Sequence, residues 1–364
     1  MPYDKGKSGI SNYLEQIVPH LSKKVSLDCL ITKEDYKNFP KENLKDTQII
    51  HPLFSLLISR PTINTIFHTL FIPIWLLFKK YDLVILPAAN RRTFLFYPLL
   101  TIGTIHDFSQ LHVQEKYDFL RMIYVKKILP LLLNKINYIS CPSKSTIRDT
   151  ANHLRFNEKK LIHNPNGFSI VEKQINKIST SIINSKYLLF VSRLEHPGKN
   201  HINLIKAFIK LSPQIAHDWK LVLAGAEWNG SDQIYQYVNS IDVKYKEKII
   251  FTGFLNTENL ENIYSNANLF IYPSLYEGFG IPVLDAMSRG LPVLCSNTSS
   301  LPEVGGDAAC YFNPTDPSDI TDKIAQVISS VDLQKIMIHK GHINTKKYKW
   351  AAHVDKLLNI INPD

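Results

Sequence analysis

The stretch Ser274–Asn297, SLYEGFGIPVLDAMSRGLPVLCSN, carries most of the information about the fold. It follows an apolar run, Leu269–Pro273, which has the composition of a strand buried on both faces of a sheet. Gly278 and Gly280 let the backbone pass close to a ligand, and Pro282 suits the first turn of a helix. We therefore predict a strand, a glycine-rich turn and a helix, with a ligand at the turn.

The turn has the chemistry of a diphosphate site. Backbone N–H groups and the dipole at a helix start attract anions. Glu277 in the turn and Asp285 in the helix would repel a phosphate, but as hydrogen-bond acceptors they suit sugar or ribose hydroxyls. The stretch therefore predicts a ligand that carries both phosphate and hydroxyl groups. The alternative is an ordinary strand-to-helix turn with solvated carboxylates.

A second candidate for phosphate binding is Val191–Phe208, VSRLEHPGKNHINLIKAF. Arg193 follows a predicted strand and Lys199 precedes a predicted helix, so both cations lie at the carboxyl end of a parallel sheet, where such folds bind ligands. Each charge-assisted hydrogen bond to phosphate contributes ~1.5–3 kcal/mol. Asn200 has two interpretations, a helix cap or a ligand contact. Ordinary surface cations are the alternative for the stretch as a whole.

Short apolar runs alternate with helical patterns along most of the chain. Because most runs are continuous Val, Ile and Leu segments without polar alternation, they predict the buried strands of parallel sheets. The alternation predicts an α/β fold of doubly wound layers. The predicted strands are Val25–Thr32, Leu83–Pro87, Gly103–His106, Tyr138–Cys141, Tyr187–Ser192, Lys220–Ala224, Ile249–Thr252, Leu269–Pro273 and Pro292–Ser296. The predicted helices are Ser11–Lys23, Lys116–Asn134, Lys144–Arg155, Asn200–Ser212, Ser231–Ile241, Thr257–Ser265, Val283–Arg289 and Trp350–Ile361.

The length of 364 residues allows two domains of roughly 150–200 residues each. A polar, weakly periodic segment at 164–185 separates two sets of predicted strands. We predict an N-terminal domain at 1–168, completed by a closing helix at 347–362, and a C-terminal domain at 180–346. Because MPYDKGK alone precedes the first glycine-rich turn, we expect either a very short first strand or a start codon further upstream.

The formal charge of +10 and the pI of about 9.2 suit three partners: nucleic acid, an anionic membrane surface or a phosphorylated substrate. The basic residues are dispersed and no nucleic-acid-binding motif accompanies them. We therefore expect no nucleic acid, and favour a membrane surface plus a phosphorylated ligand. The segment Lys116–Lys135 mixes aromatic, aliphatic and basic residues, so it suits either a membrane-facing helix or a core helix with a solvated face.

Other features narrow the class of protein. The longest apolar stretch, Leu70–Phe78, is interrupted by Pro73 and is too short to span a bilayer, which takes ~20 residues. The polar start MPYDKGKSGI predicts no signal peptide. Four cysteines lie far apart, which indicates free thiols of a cytoplasmic protein rather than disulfides or a zinc site. The sequence has no Asp-x-Asp motif, so we expect neither a metal nor another cofactor.

Together these motifs resemble those of the retaining nucleotide-sugar glycosyltransferases of the GT-B fold, family four (glycosyl transferases group 1). The resemblance rests on SRLEHPGKN paired with EGFGIPVLDA. It extends over GISNY at 9–13, TIHD at 104–107, NPNGF at 164–168, TGF at 252–254 and the helix after Trp350. It implies two Rossmann-like doubly wound domains facing across a cleft, with the C-terminal helix crossing back to the first.

Carried over to this sequence, Arg193 and Lys199 resemble the cations on the donor diphosphate. Glu277 resembles the first acid of the family's Glu-x7-Glu motif, which contacts the donor sugar. Asp285 occupies the second position, where the family usually has a glutamate that binds the ribose. The resemblance implies a donor-binding set of Gly9, Arg193, Lys199, Gly253, Phe254, Glu277, Gly278, Phe279, Gly280, Ile281 and Asp285, and a catalytic set of His106, Glu277, Arg193 and Lys199.

In the N-terminal half, Gly9 resembles the loop glycine that approaches the phosphate from the other domain. His106 resembles the histidine at the sugar-binding end of the fourth strand, which acts through either its ring or its carbonyl. A structural histidine is the alternative. For the neighbouring Asp107, stabilisation of a turn is at least as good an interpretation as a role in the site.

The resemblance implies a glycosyltransferase that moves a hexose-type sugar from a nucleotide-diphosphate donor to a glycan or lipid-linked acceptor, with retention of configuration. Surface polysaccharide or lipopolysaccharide assembly at the inner face of the plasma membrane is the expected setting. Two alternatives are a GT-B enzyme of another reaction type, such as a nucleotide-sugar epimerase or a phosphorylase, and a donor-binding subunit without catalysis. The sequence names neither the sugar, the base nor the acceptor.

Overall fold

The computed structural model describes residues 9–37, 39, 47–50, 61–113, 122–169, 183–211 and 217–361. The chain divides into two compact units. Unit 1 comprises Met1–His106, Asp118–Gly167 and Lys349–Asp364, and unit 2 comprises Asp107–Tyr117 and Phe168–Tyr348. The segment Asp107–Tyr117 therefore groups with unit 2, although the sequence analysis placed it in the N-terminal domain. The suggestion of a short strand before Gly9 lies outside the described residues.

Unit 2 is built on a six-stranded parallel sheet whose order is β12-β11-β10-β7-β8-β9. Read from the other edge, this is the doubly wound order 3-2-1-4-5-6 of dinucleotide-binding folds. The sheet carries the core, since the central strands are buried along almost their whole length. Its strands are β7 Lys186–Val191, β8 Trp219–Ala224, β9 Ile249–Gly253, β10 Leu269–Tyr272, β11 Val293–Ser296 and β12 Ala309–Phe312.

Helices alternate with these strands, as a doubly wound sheet requires. Sequence patterns did not predict β12, the short helices α4 and α9 or the last three helices of unit 2. Val331, Ile336 and Ile343 in the last of these helices are exposed, so its sequence lacks a clean apolar stripe. The helices of unit 2 are α4 Ser109–His112, α7 His201–Lys210, α8 Ser231–Ser240, α9 Val243–Lys246, α10 Thr257–Ser265, α11 Ile281–Ser288, α12 Leu301–Gly305, α13 Pro317–Ile328 and α14 Val331–Thr345.

Unit 1 holds a four-stranded parallel sheet of order β3-β4-β5-β6 and a parallel pair β1-β2. Its strands are β1 Leu27–Leu30, β2 Thr47–Ile50, β3 Val84–Leu86, β4 Thr101–Thr104, β5 Tyr138–Cys141 and β6 Leu161–His163. Its helices are α1 Gly9–Leu21, α2 Lys33–Tyr36, α3 Pro61–Leu76, α5 Tyr124–Leu133, α6 Lys144–Leu154 and α15 Trp350–Leu358. Among the described residues, no helix combines the length and the apolar character that a membrane crossing needs.

In unit 1, one strand was predicted two residues too late and helix α3 was not predicted. The strand predicted at Gly103–His106 is β4, Thr101–Thr104, and the Asn137 side chain accepts a hydrogen bond from the Thr101 N–H at 2.9 Å as the strand begins. The stretch containing Pro73 was treated only as an interrupted apolar run, yet it lies within α3. A π-helical turn, Phe67–Phe71, precedes Pro73 and accommodates a residue that has no N–H to donate.

The closing helix α15 is fastened to unit 1 by buried polar contacts. His353 Nδ1 lies 2.9 Å from the carbonyl oxygen of Pro165, which can only accept, so Nδ1 carries the proton. His353 Nε2 therefore accepts from the Tyr13 hydroxyl at 2.9 Å. The Tyr13 hydroxyl also lies 3.3 Å from Thr104 Oγ1. Helices at the two ends of the sequence are thus linked to each other and to β4.

This link predicts acid sensitivity of unit 1. Burial lowers the pKa of His353 from 6.5 to about 4. Between pH 6.5 and about pH 4, His353 binds a proton in the unfolded chain but not in the folded chain. The free energy of unfolding is therefore highest above pH 6.5 and decreases as the pH falls through that range. The full shift corresponds to about 3 kcal/mol of unfolding free energy.

The measurement is urea unfolding between pH 7.5 and pH 4.5. A His353→Gln variant is expected to lose most of this part of the pH dependence, whereas His217→Gln, which alters an exposed histidine, keeps it. An unchanged pH profile in the first variant would assign the acid sensitivity to other groups.

Candidate active site

The site lies where the strand order of unit 2 reverses. β7 and β10 are neighbours, but the chain runs from β7 towards β9 on one side and from β10 towards β12 on the other. In open α/β sheets the crevice beyond the carboxyl ends of two such strands is where ligands bind. Lys199 in the loop after β7 and Glu277 in the loop after β10 both come to this point.

Lys199 and Glu277 form a close ion pair, with Lys199 Nζ 2.5 Å from Glu277 Oε1. The Tyr272 hydroxyl at the end of β10 donates to the same carboxylate oxygen at 2.9 Å and lies 3.3 Å from Lys199 Nζ. The lysine and glutamate side chains are only 17% and 15% exposed. The two charged residues were predicted from the sequence, whereas Tyr272 was not.

The environment of Lys199 keeps it charged. Burial alone would lower the pKa of the ammonium group, but the adjacent Glu277 carboxylate outweighs that effect, so the pKa lies above its usual value. Burial also raises the pKa of Tyr272, which stays a neutral hydrogen-bond donor. The arrangement is therefore a fixed positive charge beside a carboxylate whose Oε1 accepts two hydrogen bonds.

Arg193 lies in the same loop after β7, with its guanidinium held from two sides. Its Nη2 is 3.3 Å from Oε2 of Glu195, a residue that is 2% exposed. Its Cζ lies 4.6 Å from the ring centroid of Trp228, in the loop after β8. About half of the Arg193 side chain is exposed. A cation fixed in this way can meet an anionic ligand with little loss of side-chain entropy.

The glycine-rich turn before α11 is braced by the loop after β11. The Glu277 N–H donates to Ser299 Oγ at 2.9 Å, and Ser300 Oγ donates to the carbonyl oxygens of Glu277 and Phe279 at 3.0 and 2.7 Å. Gly280 has a φ of +111°, and a Cβ there would lie 2.7 Å from Leu301 Cδ2. The predicted helix start is confirmed, since α11 begins at Ile281.

The structure shows a third role for Asn200, which was interpreted from sequence as either a helix cap or a ligand contact. It occupies the position before α7 with a left-handed backbone, yet its side chain caps no helix N–H. Its Nδ2 donates instead to the carbonyl oxygens of Pro273 and Pro314, at 3.0 and 2.7 Å. Asn200 therefore fastens the loops after β10 and β12 to the loop that carries Lys199.

Asp285 takes part in a second ion-pair cluster. Arg289 Nη1 lies 3.1 Å from Asp285 Oδ1, and Arg289 Nη2 lies 2.5 Å from Glu261 Oε1. The guanidinium also stacks on Tyr264, 4.6 Å from the ring centroid. Burial raises the pKa of Asp285, and Arg289 opposes that rise. The predicted ribose contact stays a prediction, and the sequence analysis missed Arg289 and Glu261.

Gly253 and Phe254 stand at the end of β9. Gly253 has a φ of +65°, and the space around a Cβ there is open. Phe254 is 79% exposed, so its ring is accessible to a flat ligand. The contact of Gly253 and Phe254 with the base stays a prediction.

The remaining predicted residues lie elsewhere. Gly9 begins α1 in unit 1. His106 follows β4, and its Nε2 lies 2.8 Å from the carbonyl oxygen of Pro87, with the Tyr13 ring edge-on at 4.7 Å. The ring therefore has a structural contact. Asp107 Oδ1 accepts from the N–H and hydroxyl of Ser109 at 3.0 and 2.9 Å, which supports the interpretation of turn stabilisation.

Unit 2 thus brings the predicted donor-side charges into three clusters, one on Lys199 and Glu277, one on Arg193 and one on Asp285. The residues that support them come from strands, loops and helices, and carry no motif of their own. Some of them follow strand ends, whereas Tyr272 ends β10 and the partners of Asp285 lie in α10 or directly after α11. The supporting residues missed by the sequence analysis are Glu195, Trp228, Glu261, Tyr264, Tyr272, Arg289, Ser299 and Ser300.

Comparison with known proteins finds a family match for the C-terminal half of the chain. Residues 171–343, just under half of the chain, match the model described as glycosyl transferases group 1. O-antigen chain mannosyltransferase B of Escherichia coli is 34% identical over 173 residues, 48% of this chain and 45% of that protein. The serotype-specific mannosyltransferase WbdA of Escherichia coli is 26% identical over 271 residues, 71% of this chain and 33% of that protein. The chain spans less than half the length of both relatives.

Solved structures show the fold. HepE of Anabaena, solved with UDP and glucose, has a TM-score of 0.72 at 15% identity and covers 99% of this chain and 98% of its own. WaaG, a glycosyltransferase involved in lipopolysaccharide biosynthesis, has a TM-score of 0.69 at 14% identity, with coverages of 98% and 97%. Residues 171–343 therefore match the glycosyl transferases group 1 family, and the chain has the GT-B fold of two Rossmann-like units.

Proposed function

We propose that the protein is a glycosyltransferase that moves a hexose-type sugar from a nucleotide-diphosphate donor to a glycan or lipid-linked acceptor, with retention. The observation that carries the proposal is the ion pair of Lys199 and Glu277 at the switch point of unit 2, beside the glycine-rich start of α11. It offers a positive charge for a phosphate next to a carboxylate for sugar hydroxyls.

In the proposed reaction, the bond between the anomeric carbon and the donor phosphate oxygen breaks, and its electron pair goes to that oxygen. The acceptor hydroxyl oxygen forms the new bond to the anomeric carbon on the same face. Its proton passes to the leaving phosphate. The products are the nucleoside diphosphate and the glycosylated acceptor, so atoms and charge balance.

The chain's own residues would speed the reaction by stabilising the leaving group. Negative charge grows on the phosphate as the bond loosens, and Lys199 and Arg193 interact more strongly with it in the transition state than before. Because these two cations supply the positive charge, we propose that no metal ion is required. Glu277 Oε1 already accepts two hydrogen bonds, which favours contact with sugar hydroxyls over a role as covalent nucleophile.

The names of the relatives suggest the class of product. Both Escherichia coli relatives are mannosyltransferases, one of the O-antigen chain, and WaaG acts in lipopolysaccharide biosynthesis. We propose that this protein likewise builds a surface polysaccharide or lipopolysaccharide, at the cytoplasmic face of the membrane, with mannose as the first sugar to test.

Thermal unfolding with a panel of nucleoside diphosphates and their mannose, glucose and galactose conjugates tests donor binding. At 100 times the Kd a ligand stabilises the folded state by about 2.7 kcal/mol, which corresponds to an increase in Tm of about 5–10 °C for a unit of this size. We expect the nucleoside diphosphate and sugar conjugates of one base to raise the Tm by this amount in the presence of EDTA. Adenosine monophosphate is expected to leave the Tm unchanged.

The alternatives have distinct outcomes. Conversion of the donor without any acceptor would identify an epimerase, and binding without transfer to any glycan or lipid extract would identify a donor-binding subunit. A Tm that no conjugate changes would refute the proposal, and loss of the shift in EDTA would refute its metal independence.

A further inference from the structure

The side chain of Tyr272 is held in the core at the end of β10. Tyr272 is the last residue of that strand, and only 2% of its surface is exposed. Its ring is stacked on the ring of Phe270, with 6.1 Å between the centroids, and packs edge-on against the ring of Phe190 at 5.7 Å. Both neighbours are fully buried in unit 2. Because such close packing leaves a ring few alternative rotamers, the core fixes the position of the Tyr272 hydroxyl.

The Tyr272 hydroxyl connects the two charged residues of the candidate site. Its hydrogen goes to Glu277 Oε1, which lies 2.9 Å from the hydroxyl oxygen. The Lys199 ammonium group, which can only donate, lies 3.3 Å from the hydroxyl oxygen and 2.5 Å from the same oxygen of Glu277. The tyrosine therefore donates to the carboxylate and accepts from the ammonium group.

The two oxygens of the Glu277 carboxylate have different surroundings. Both hydrogen bonds that the described side chains donate to this carboxylate reach Oε1. The backbone of Glu277 is fixed as well, since its N–H donates to Ser299 Oγ and its carbonyl oxygen accepts from Ser300 Oγ. With Oε1 and the backbone both held, the direction of Oε2 is set, and Oε2 keeps its capacity to accept hydrogen bonds from a ligand.

Tyr272 and Lys199 differ in how they respond to a phosphate. Burial raises the pKa of Tyr272, so its hydroxyl stays neutral and keeps its hydrogen. In the proposed reaction the Lys199 ammonium group has two anionic partners, the Glu277 carboxylate and the donor phosphate. Attraction of Lys199 towards the phosphate would loosen the ion pair but leave the hydrogen bond from Tyr272 in place. A neutral donor on a fixed ring can therefore hold the carboxylate while the donor is bound.

We propose that Tyr272 is a positioning residue, whose hydroxyl fixes Oε1 of Glu277 so that Oε2 accepts hydrogen bonds from the hydroxyl groups of the donor sugar. This inference rests on the proposed function and adds to it which carboxylate oxygen faces the sugar. A phenylalanine ring would pack on the core in the same way, so the role belongs to the hydroxyl group. A carboxylate that is oriented in advance meets the sugar with little loss of side-chain freedom.

The substitution Tyr272→Phe removes the hydroxyl and keeps the packed ring. We expect kcat for sugar transfer to fall by ~10–30-fold, the lower part of the range for a hydrogen bond to a charged group. The Kd of the free nucleoside diphosphate is expected to stay within about twofold, because the proposed phosphate contacts come from the cations and not from the tyrosine. Calorimetry measures this Kd. Initial rates with the mannose conjugate of the base that raises the Tm, and with an extract that accepts the sugar, give kcat.

A double-mutant cycle with Glu277→Ala shows whether Tyr272 acts through Glu277. In the Glu277→Ala background there is no carboxylate for the tyrosine to hold. Addition of Tyr272→Phe to that variant is therefore expected to change kcat by less than about threefold. A larger additional loss would show that Tyr272 acts independently of Glu277, and would overturn the proposal.

The matched control is Tyr187→Phe, which alters another buried tyrosine of the same sheet. Tyr187 lies in β7 and is 1% exposed, and its hydroxyl donates to the Ile263 carbonyl oxygen at 2.6 Å. We expect both variants to lower the Tm by similar amounts and Tyr187→Phe to keep the kcat of the wild type. Equal losses of kcat in both variants, or an unchanged kcat in Tyr272→Phe, would overturn this inference and leave the proposed function standing. A wild-type protein that binds no nucleoside diphosphate and transfers no sugar would overturn both.

Discussion

Replacement of Lys199 by methionine is expected to lower kcat/KM for sugar transfer by ~100–1000-fold, the effect of removing one preorganised charge-stabilising group from a site of this kind. Methionine keeps the length of the stem but removes the charge that lies 2.5 Å from Glu277. Steady-state transfer assays with the donor identified by thermal unfolding provide the measurement.

Two controls separate catalysis from folding. Lys206→Met removes an exposed lysine of α7 and is expected to leave transfer unchanged. Lys199→Met leaves a partly buried carboxylate without its cation, which costs up to ~3–5 kcal/mol of unfolding free energy. The double variant Lys199→Met, Glu277→Gln is expected to regain much of that stability but no transfer activity. A single variant that transfers within threefold of wild type would exclude Lys199 from the reaction.

Glu277→Gln is expected to separate binding of the nucleotide from transfer of the sugar. The amide keeps the size of the side chain and removes a negative charge from the neighbourhood of the donor phosphates. We expect kcat to fall by ~100-fold, since charged hydrogen bonds to the sugar are lost. Affinity for the free nucleoside diphosphate is expected to stay the same or rise. Calorimetry and initial rates measure the two quantities.

The matched control is Glu258→Gln on the exposed side of α10, for which no change is expected. If Glu277→Gln weakens nucleoside diphosphate binding as much as transfer, Glu277 acts by supporting the site and not by contacting the sugar.

The order of elements around the glycine-rich turn was predictable from sequence, because its signals are local. Gly280 needs a left-handed backbone and Pro282 suits a first helical turn, so the helix start at Ile281 follows from neighbouring residues. Continuous apolar runs likewise predicted the central strands of unit 2.

Elements without such local signals were missed. β12 has only four residues, three of them half-buried, which is too short for a periodic pattern. Helix α3 is apolar on both sides and contains Pro73, so neither amphipathic periodicity nor helix propensity identifies it.

In the candidate site, sequence identified the charged residues but not what fixes them. Tyr272 precedes Glu277 by five residues and reads only as the last residue of a buried strand. Arg289 reads as the end of a helix, yet it joins Asp285 to Glu261 from another helix. Such partnerships follow from strand order, which one sequence without an alignment does not reveal.

Helix α15 has a consequence for biosynthesis. Trp350 packs so closely on Gly167 that a Cβ on that glycine would lie 2.3 Å from the Trp350 backbone nitrogen. Proteins commonly acquire structure from the amino terminus while still on the ribosome. Most of unit 1 is translated first, but unit 1 stays incomplete until α15, which ends at Leu358, has been synthesised. Unit 2 ends earlier, at Tyr348. Unit 1 is therefore expected to be completed only after the synthesis of unit 2 has finished.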